Sequence, residues 1–360
     1  MTLSIWRMSS TTGEARTTFV DEFVEAVAGA SFAAEAGAAA TPDYIALVLG
    51  TAVGRPFELL LAGTRGRAVG RALVATSYAQ PETAVVGLFE VEPGPFAAEA
   101  GELLIAAASD WAVRTGHRRL FGPVDLNTWY GYRYMVPPQG RGARVRRFAW
   151  EPPLRESYLD LFRRGGFVVA DWYRTVGAVL DASGSFSTSG PASYTAPAHA
   201  AALAAGYTFD RLDGMDRFAS LRDDLHALCT DAFRDNLLFE PLPLDRFRSL
   251  ATGAASGHDS TLTHVVRAPD GRLAGVVFAF IDGEAVVFKT IAVAQGARGQ
   301  HLSTALMHLV FRRGAERGYR TFVFALVRSG NRSEFLIAPH LRPGLHSWAH
   351  DYVLLCRSIP

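Results

Sequence analysis

Lysine is all but missing from this chain of 360 residues: Lys289 is the only one, and arginine carries nearly all of the positive charge. An arginine-favouring coding bias accounts for that imbalance without a functional cause. Cysteine is scarce too. Cys229 and Cys356 are too few for a disulfide framework or a cysteine metal cluster, and no metal site is expected. Net charge is close to nil, at +1, which removes bulk attraction to nucleic acid or to an anionic membrane. No uncharged apolar run reaches membrane-spanning length, so no membrane span is expected. Met1–Arg16 is short of apolar residues and does not read as a signal peptide. These absences predict a cytoplasmic protein. What remains is an ordinary globular composition, 49% apolar and 20% charged, with length enough for two domains.

The richest segment is Phe288–Leu306. Phe288–Val293 is apolar and β-branched apart from Lys289, as a mostly buried strand would be. Gln295–His301 is a polar turn with two glycines. Leu302, Ala305, Leu306, Leu309 and Val310 then fall on one face of a helix. A helix that opens straight from such a turn presents unpaired N–H groups and its positive dipole end, a ready seat for phosphate. Arg298 adds a cation in the turn. The segment predicts binding of a phosphorylated cofactor.

The chain repeats this pattern at an offset of about two hundred residues. Gly66–Ala75 matches Gly271–Ala279, and Ala84–Val91 matches Ala285–Ala292, each pair reading as strands. A helix follows in both copies and stops at a glycine, Gly116 or Gly318. A strand comes next and leads to an asparagine, Asn127 or Asn331. Glu151–Leu180 reads as the last helix and strand of the first copy. Asp181–Pro197, rich in Ser, Gly, Ala and Pro, reads as a linker.

Taken together, these residues resemble the GNAT acyltransferase superfamily, and the two-copy arrangement resembles its tandem members. The family's cofactor turn runs Arg/Gln-x-x-Gly-x-Gly/Ala after a strand ending in Val; Val293, Arg298 and Gly299 stand in those places. Ala325–Val327 followed by Asn331, and His350–Leu354, are similar to the family's later strands. The resemblance implies an α/β (α+β) fold of two GNAT-like domains, each a twisted mixed sheet flanked by helices. Residues 1–180 would form a degenerate acceptor-side domain, 181–197 a linker, and 198–360 the domain that binds acyl-CoA. Cofactor contacts would come from Ile291, Ala292, Val293, Arg298, Gly299, Gln300, His301, Leu302, Ser303, Thr304 and Asn331. The sequence departs from the family where two glycines are replaced by His301 and Ser303, since glycine permits positive φ and a close backbone approach to a pyrophosphate. The first copy departs further. Its turn, Glu92–Glu99, has no arginine, two prolines and flanking carboxylates, so it is not expected to hold a cofactor. There Asn127, Trp129 and Tyr130 would line an acceptor pocket, or form a turn satisfied by its own Asp and Asn side chains.

The implied reaction moves an acyl group, acetyl or a longer fatty chain, from a coenzyme A or acyl carrier protein thioester to an amine on a small molecule or a peptide natural product. A base must deprotonate the amine, and an N–H donor must hold the oxyanion. Ile291–Val293 would supply the donor. Tyr352 on the final strand is the candidate acid. Glu240, set between Phe239 and Pro241, and His346 are candidate proton acceptors. Asn331 would contact the pantetheine arm or cap the next helix. The alternative is a non-catalytic protein that keeps the fold for binding alone.

Overall fold

The computed structural model describes residues 2–9, 15–26, 41–64, 66–138, 148, 150–152, 154–180, 191–212, 214–248, 261–331, 333–334 and 346–360. The first half holds β1 (Ser4–Ser9), α1 (Ala15–Glu25), α2 (Pro42–Ala52), β2 (Phe57–Thr64), β3 (Arg67–Thr76), β4 (Thr83–Val91), α3 (Ala97–Arg114), β5 (Arg119–Gly122), β6 (Tyr134–Met135), α4 (Glu156–Arg164) and β7 (Val168–Val179). The second half holds α5 (Pro191–Ala204), β8 (Thr208–Arg211), α6 (Gly214–Phe233), β9 (His264–Arg267), β10 (Leu273–Asp282), β11 (Ala285–Val293), α7 (Leu302–Glu316), β12 (Thr321–Arg328) and β13 (His346–Ser358). No described helix is long and apolar enough to cross a membrane.

Two compact units divide the chain. One comprises Met1–Trp172, Leu237–Glu240 and Asp351–Pro360; the other comprises Tyr173–Asn236 and Pro241–His350. In the first unit β1 to β4 form an antiparallel run, β4 pairs with β5 in parallel, and β13 closes the order antiparallel to β5, with Leu355 opposite Gly122. In the second unit β8, β9, β10 and β11 run antiparallel, β11 is parallel to β12, and β7 lies antiparallel to β12, with Val179 opposite Thr321. Each unit thus repeats one plan: an antiparallel run, a crossover helix, a parallel partner strand and an antiparallel closing strand.

The closing strands are where the observed units depart from the sequence reading. Val168–Leu180 reads as the last strand of the first copy, yet from Tyr173 onward it completes the second unit's sheet. The end of β13 completes the first unit's sheet instead. Alternating apolar residues give a strand its face but carry no information about its partner. The reading of 181–197 as a linker also changes. Residues 181–190 lie outside the described residues, and from Pro191 the chain is helical. Alanine is the strongest helix former, and proline suits a first helical position, so Pro191–Ala204 folds despite its loop-like composition.

In the second unit the core lies between the sheet and α7. Val277, Ala279, Val286 and Phe288 pack with Leu302, Leu306, Val310 and Phe311, all buried. Phe288 stacks on Phe324 at 5.0 Å and meets Phe311 edge-on at 5.3 Å. Each such side chain contributes about 1.5–3 kcal/mol by leaving water, which fixes the start of α7 against the end of β11. The helix ends where Gly318 takes φ 85, a left-handed stop that a side chain would strain.

Candidate functional site

The sheet of the second unit opens at one level. β11 and β12 pair only from Ala285–Phe288 to Thr321–Phe324. On its other edge β11 continues with β10 as far as Val293 opposite Gly275. Two bulges produce the opening. Lys289 is the extra residue on β11, because Thr290 faces Phe278 while Phe288 faces Ala279. On β12, Ala325 and Leu326 together oppose the single residue Thr175, since Phe324 faces Val176 and Val327 faces Arg174. Leu326 sits at φ 56, and its N–H donates to Thr175 Oγ1 at 2.9 Å, which keeps β12 with β7 and away from β11. Strain of this kind persists only where the surroundings enforce it, and it gathers at functional sites. From Lys289 to Val293 the edge of β11 turned toward β12 has no strand partner among the described residues. This stretch carries the expected contacts Ile291, Ala292 and Val293.

The turn beyond β11 is stapled to the C-terminal end of α6. Gln295 N–H donates to Asp231 Oδ2 at 2.8 Å, and Gln295 Nε2 donates to Asp235 Oδ2 at 2.9 Å. Arg298 Nη2 donates to the Ala232 carbonyl at 2.9 Å, with Asp235 at 3.9 Å from Nη1. The sequence reading gave Arg298 to a phosphate; the structure spends its guanidinium on the end of α6, where it holds the turn in place. The acidic residues at that end were not singled out from sequence. They had a signal: Asp231 lies in the last turn of a helix, where the dipole disfavours a carboxylate unless something offsets it.

After Gly299 (φ 89) and exposed Gln300, His301 takes φ 54 and begins α7 without a side-chain cap. Ala305 N–H reaches the His301 carbonyl at 3.0 Å, so the helix ladder starts there. The N–H groups of Leu302, Ser303 and Thr304 precede that bond and have no partner within the helix. Leu302 is buried and anchors the turn, while Ser303 and Thr304 are half-buried around it. The structure therefore brings together the β11 edge, the residues around the start of α7 and the opening beside them. Asn331, past the end of β12, is half-buried, and its carbonyl accepts from Glu334 N–H at 2.9 Å as the next turn begins.

The remaining expected residues lie elsewhere. Glu240 belongs to the first unit and is buried. Its Oε2 meets Arg55 Nη2 at 2.8 Å, and its Oε1 accepts from Tyr78 N–H at 2.7 Å and Ser77 Oγ at 3.2 Å. A carboxylate so fully engaged is a structural tie, which corrects its reading as a base. Tyr352 is also in the first unit, fully buried, and its phenol donates to Glu151. That bond occupies the hydroxyl the reaction would need. His346 opens β13, and its side chain lies outside the described residues. Asn127 Oδ1 accepts from Trp129 N–H at 2.9 Å, Trp129 Nε1 donates to the Glu240 carbonyl at 2.8 Å, and Tyr130 shares a hydrogen bond with Thr51 at 2.7 Å. This segment is packed into its own unit.

The first unit has the same opening, filled. β4 bulges at Leu88 (φ 45), and its pairing with β5 ends at Val85 opposite Phe121. The chain after β5 then turns back across the gap. Val124 N–H donates to the Val86 carbonyl at 2.8 Å, and a Cβ on Gly87 would stand 2.1 Å from Val124 O. Asp125 Oδ1 takes Leu88 N–H at 2.6 Å, and Tyr44 donates to Asp125 Oδ2 at 2.7 Å. Burial pushes the Asp125 carboxyl above the usual carboxylate range.

Residues 197–332 match the family model described as the acetyltransferase (GNAT) domain. Solved structures extend the likeness in fold to the whole chain. A protein of Enterococcus faecalis V583 described as a probable N-acyltransferase aligns with TM-score 0.56 and 8% identity, over 100% of this chain and 73% of that one. A glucosamine N-acetyltransferase region of a fungal multi-domain β-N-acetylglucosaminidase aligns with TM-score 0.50 and 13% identity, over 99% of this chain and 38% of that one. A tandem GNAT protein from the clavulanic acid biosynthesis pathway aligns over 99% of both chains, with TM-score 0.48 and 15% identity. No relative is found among curated proteins.

Proposed function

We propose that the second unit binds an acyl-CoA thioester and transfers its acyl group to an amine. The observation that carries this reading is the end of β11–β12 pairing at Phe288, with an uncapped helix start beyond the turn that follows β11. The diphosphate sits on the N–H groups of Leu302, Ser303 and Thr304, where the helix dipole favours negative charge. The pantetheine arm takes the place of the missing strand along β11 and pairs with its unpartnered edge. An N–H of Ile291–Val293 then faces the thioester carbonyl and holds the oxyanion as the amine attacks. Gln300, His301 and Gly299 shape the phosphate seat, and Arg298 positions it from behind. Asn331 stands at the far wall of the opening.

The acyl group is acetyl or a longer fatty chain, and the acceptor is a small-molecule amine or a peptide, including a peptide natural product. A donor carried on an acyl carrier protein suits the same opening, because the arm rather than the nucleotide makes most of these contacts. A coenzyme A donor places the reaction in the cytoplasm. Calorimetry with coenzyme A, acetyl-CoA and longer acyl-CoA tests the reading, with thiol release measured in the presence of amines. Binding with thiol release supports transfer; no heat with any thioester overturns it. A second reading, binding without turnover, is favoured by the engagement of Glu240 and Tyr352 in hydrogen bonds of the first unit. Binding without thiol release would select it.

A further inference from the structure

Toward the far end of α7 the second unit has a cleft of about 370 Å³, inside the roughly 300–1,000 Å³ range of small-molecule sites. Arg312 lies ten residues beyond Leu302, roughly 15 Å along the helix at its usual rise, so the cleft is separate from the phosphate seat. Four elements converge on it. Arg211 ends β8, His264 opens β9, Arg217 stands near the start of α6, and Leu309, Arg312 and Arg313 come from α7. Register sets Arg211 opposite His264. His264 and Leu309 are buried, and His264 Nδ1 is held by the Leu262 carbonyl at 2.8 Å; the arginines around them are exposed. Their charge is only partly balanced. Asp210 is shared between Arg217 at 3.6 Å and Arg267 at 3.7 Å. Glu316 is likewise shared between Arg312 at 3.7 Å and Arg313 at 3.6 Å. Two carboxylates thus serve four guanidiniums. These separations exceed the roughly 2.7–3.2 Å of a hydrogen bond. Among the described residues, the guanidiniums of Arg217, Arg312 and Arg313 donate no hydrogen bond to the protein. Each presents a planar fork of N–H donors that fits phosphate oxygens two at a time.

We propose that this cleft binds a small molecule bearing two or more phosphate groups, either a free oligophosphate or the tail of a nucleoside triphosphate. The phosphates lie between Arg312 and Arg313 of α7 and Arg217 of α6. There they supply the negative charge that Asp210 and Glu316 provide only in part, and they accept from forks that the protein leaves unspent. The site is independent of the thioester opening and does not rest on the transfer reading.

Calorimetry of the full-length protein with sodium tripolyphosphate, and separately with ATP, tests this at physiological salt. Arg312→Gln/Arg313→Gln should weaken binding at least tenfold and still melt like the parent, because both side chains are exposed and glutamine keeps the helix propensity. Ser303→Asp, which spoils the phosphate seat at the other end of α7, should leave affinity at this cleft within twofold. Equal affinity for the two titrants marks a bare oligophosphate site, and tighter ATP a nucleotide site; either supports the proposal. No heat with either titrant overturns it, as does equal weakening in both variants. Binding that survives Arg312→Gln/Arg313→Gln and disappears in Ser303→Asp also overturns it, because the anion then sits on the helix start alone; the proposed function would stand.

Discussion

His301 is the residue on which the phosphate seat turns. At φ 54 it holds a left-handed conformation that a side-chain-bearing residue adopts at a cost of about 1–2 kcal/mol. The same backbone is free to glycine, though glycine gives back part of the gain through a more mobile unfolded chain. His301→Gly should therefore leave folding stability within about 1 kcal/mol of the parent. It should tighten acyl-CoA several-fold, because the Cβ that keeps the backbone off the diphosphate is gone. Calorimetry decides the matter: weaker binding would show that the imidazole itself holds the ligand. Glu240 makes the contrasting case. Its partners Arg55, Ser77 and Tyr78 lie far away in sequence, so the chain around Glu240 advertises a carboxylate in an apolar setting and conceals the ion pair that satisfies it. Truncating one partner of a buried pair strands the other charge, at about 3–5 kcal/mol. Glu240→Ala should lower stability to denaturant by that order, and thiol release per folded molecule should not change. A stable variant with lost turnover would return Glu240 to the chemistry.

At the scale of elements, α5 and α7 meet through a pair of histidines. His199 and His308 lie 5.2 Å apart, and His308 Nδ1 shares a hydrogen bond with Thr195 at 3.2 Å. Desolvation pushes both imidazoles below the usual range, with Arg312 adding to each and His199 to His308. The unfolded chain therefore takes up protons near pH 6.5 that the folded chain refuses, and stability is lost as pH falls through that value. Asp125 and Glu90 work in the other direction at lower pH, since burial raises both carboxyls. The comparison that isolates the histidines is the melting temperature from pH 7.5 to 5.5 for the parent and for His199→Gln/His308→Gln. The variant should lose less; equal losses would remove the pair from the acid response. Elements were legible in the sequence where the period of the apolar pattern changes. Phe288–Val293 is an apolar, β-branched run apart from Lys289, Leu302–Val310 repeats as a helix, and both formed where expected. Partners were not legible. β7 and β13 have the same pattern and close different units from those their chain positions suggest, because pairing is settled by three-dimensional neighbours. Pro191–Ala204 was hidden by residues common to linkers and alanine-rich helices alike. The turn after β11 was read correctly as a turn, but its arginine was given to a ligand when it serves the end of α6.

At the scale of the whole molecule, one plan is used twice, and among the described residues only one copy is open. β4 and β11 both bulge, and each has parted from its parallel partner before the bulge. In the first unit Val124, Asp125 and Tyr44 fill the gap with the chain's own hydrogen bonds; in the second the β11 edge has no strand partner among the described residues. A thioester should therefore bind once per chain, and calorimetric stoichiometry should be near one. A matched pair of variants makes the assignment sharp. Ser303 and Ala98 each stand second in the crossover helix of their unit, half-buried and exposed respectively. Aspartate at either position suits the helix dipole, worth about 0.3–1 kcal/mol, so neither variant should melt below the parent. Their effects on ligand should differ. Ser303→Asp puts a carboxylate where the diphosphate must sit, and the repulsion should weaken acyl-CoA at least tenfold, about 1.4 kcal/mol. Ala98→Asp changes a helix start that flanks a filled gap, and affinity should stay within twofold. Equal losses in both variants, or loss in Ala98→Asp alone, would move the ligand out of the second unit and take the proposed transfer chemistry with it.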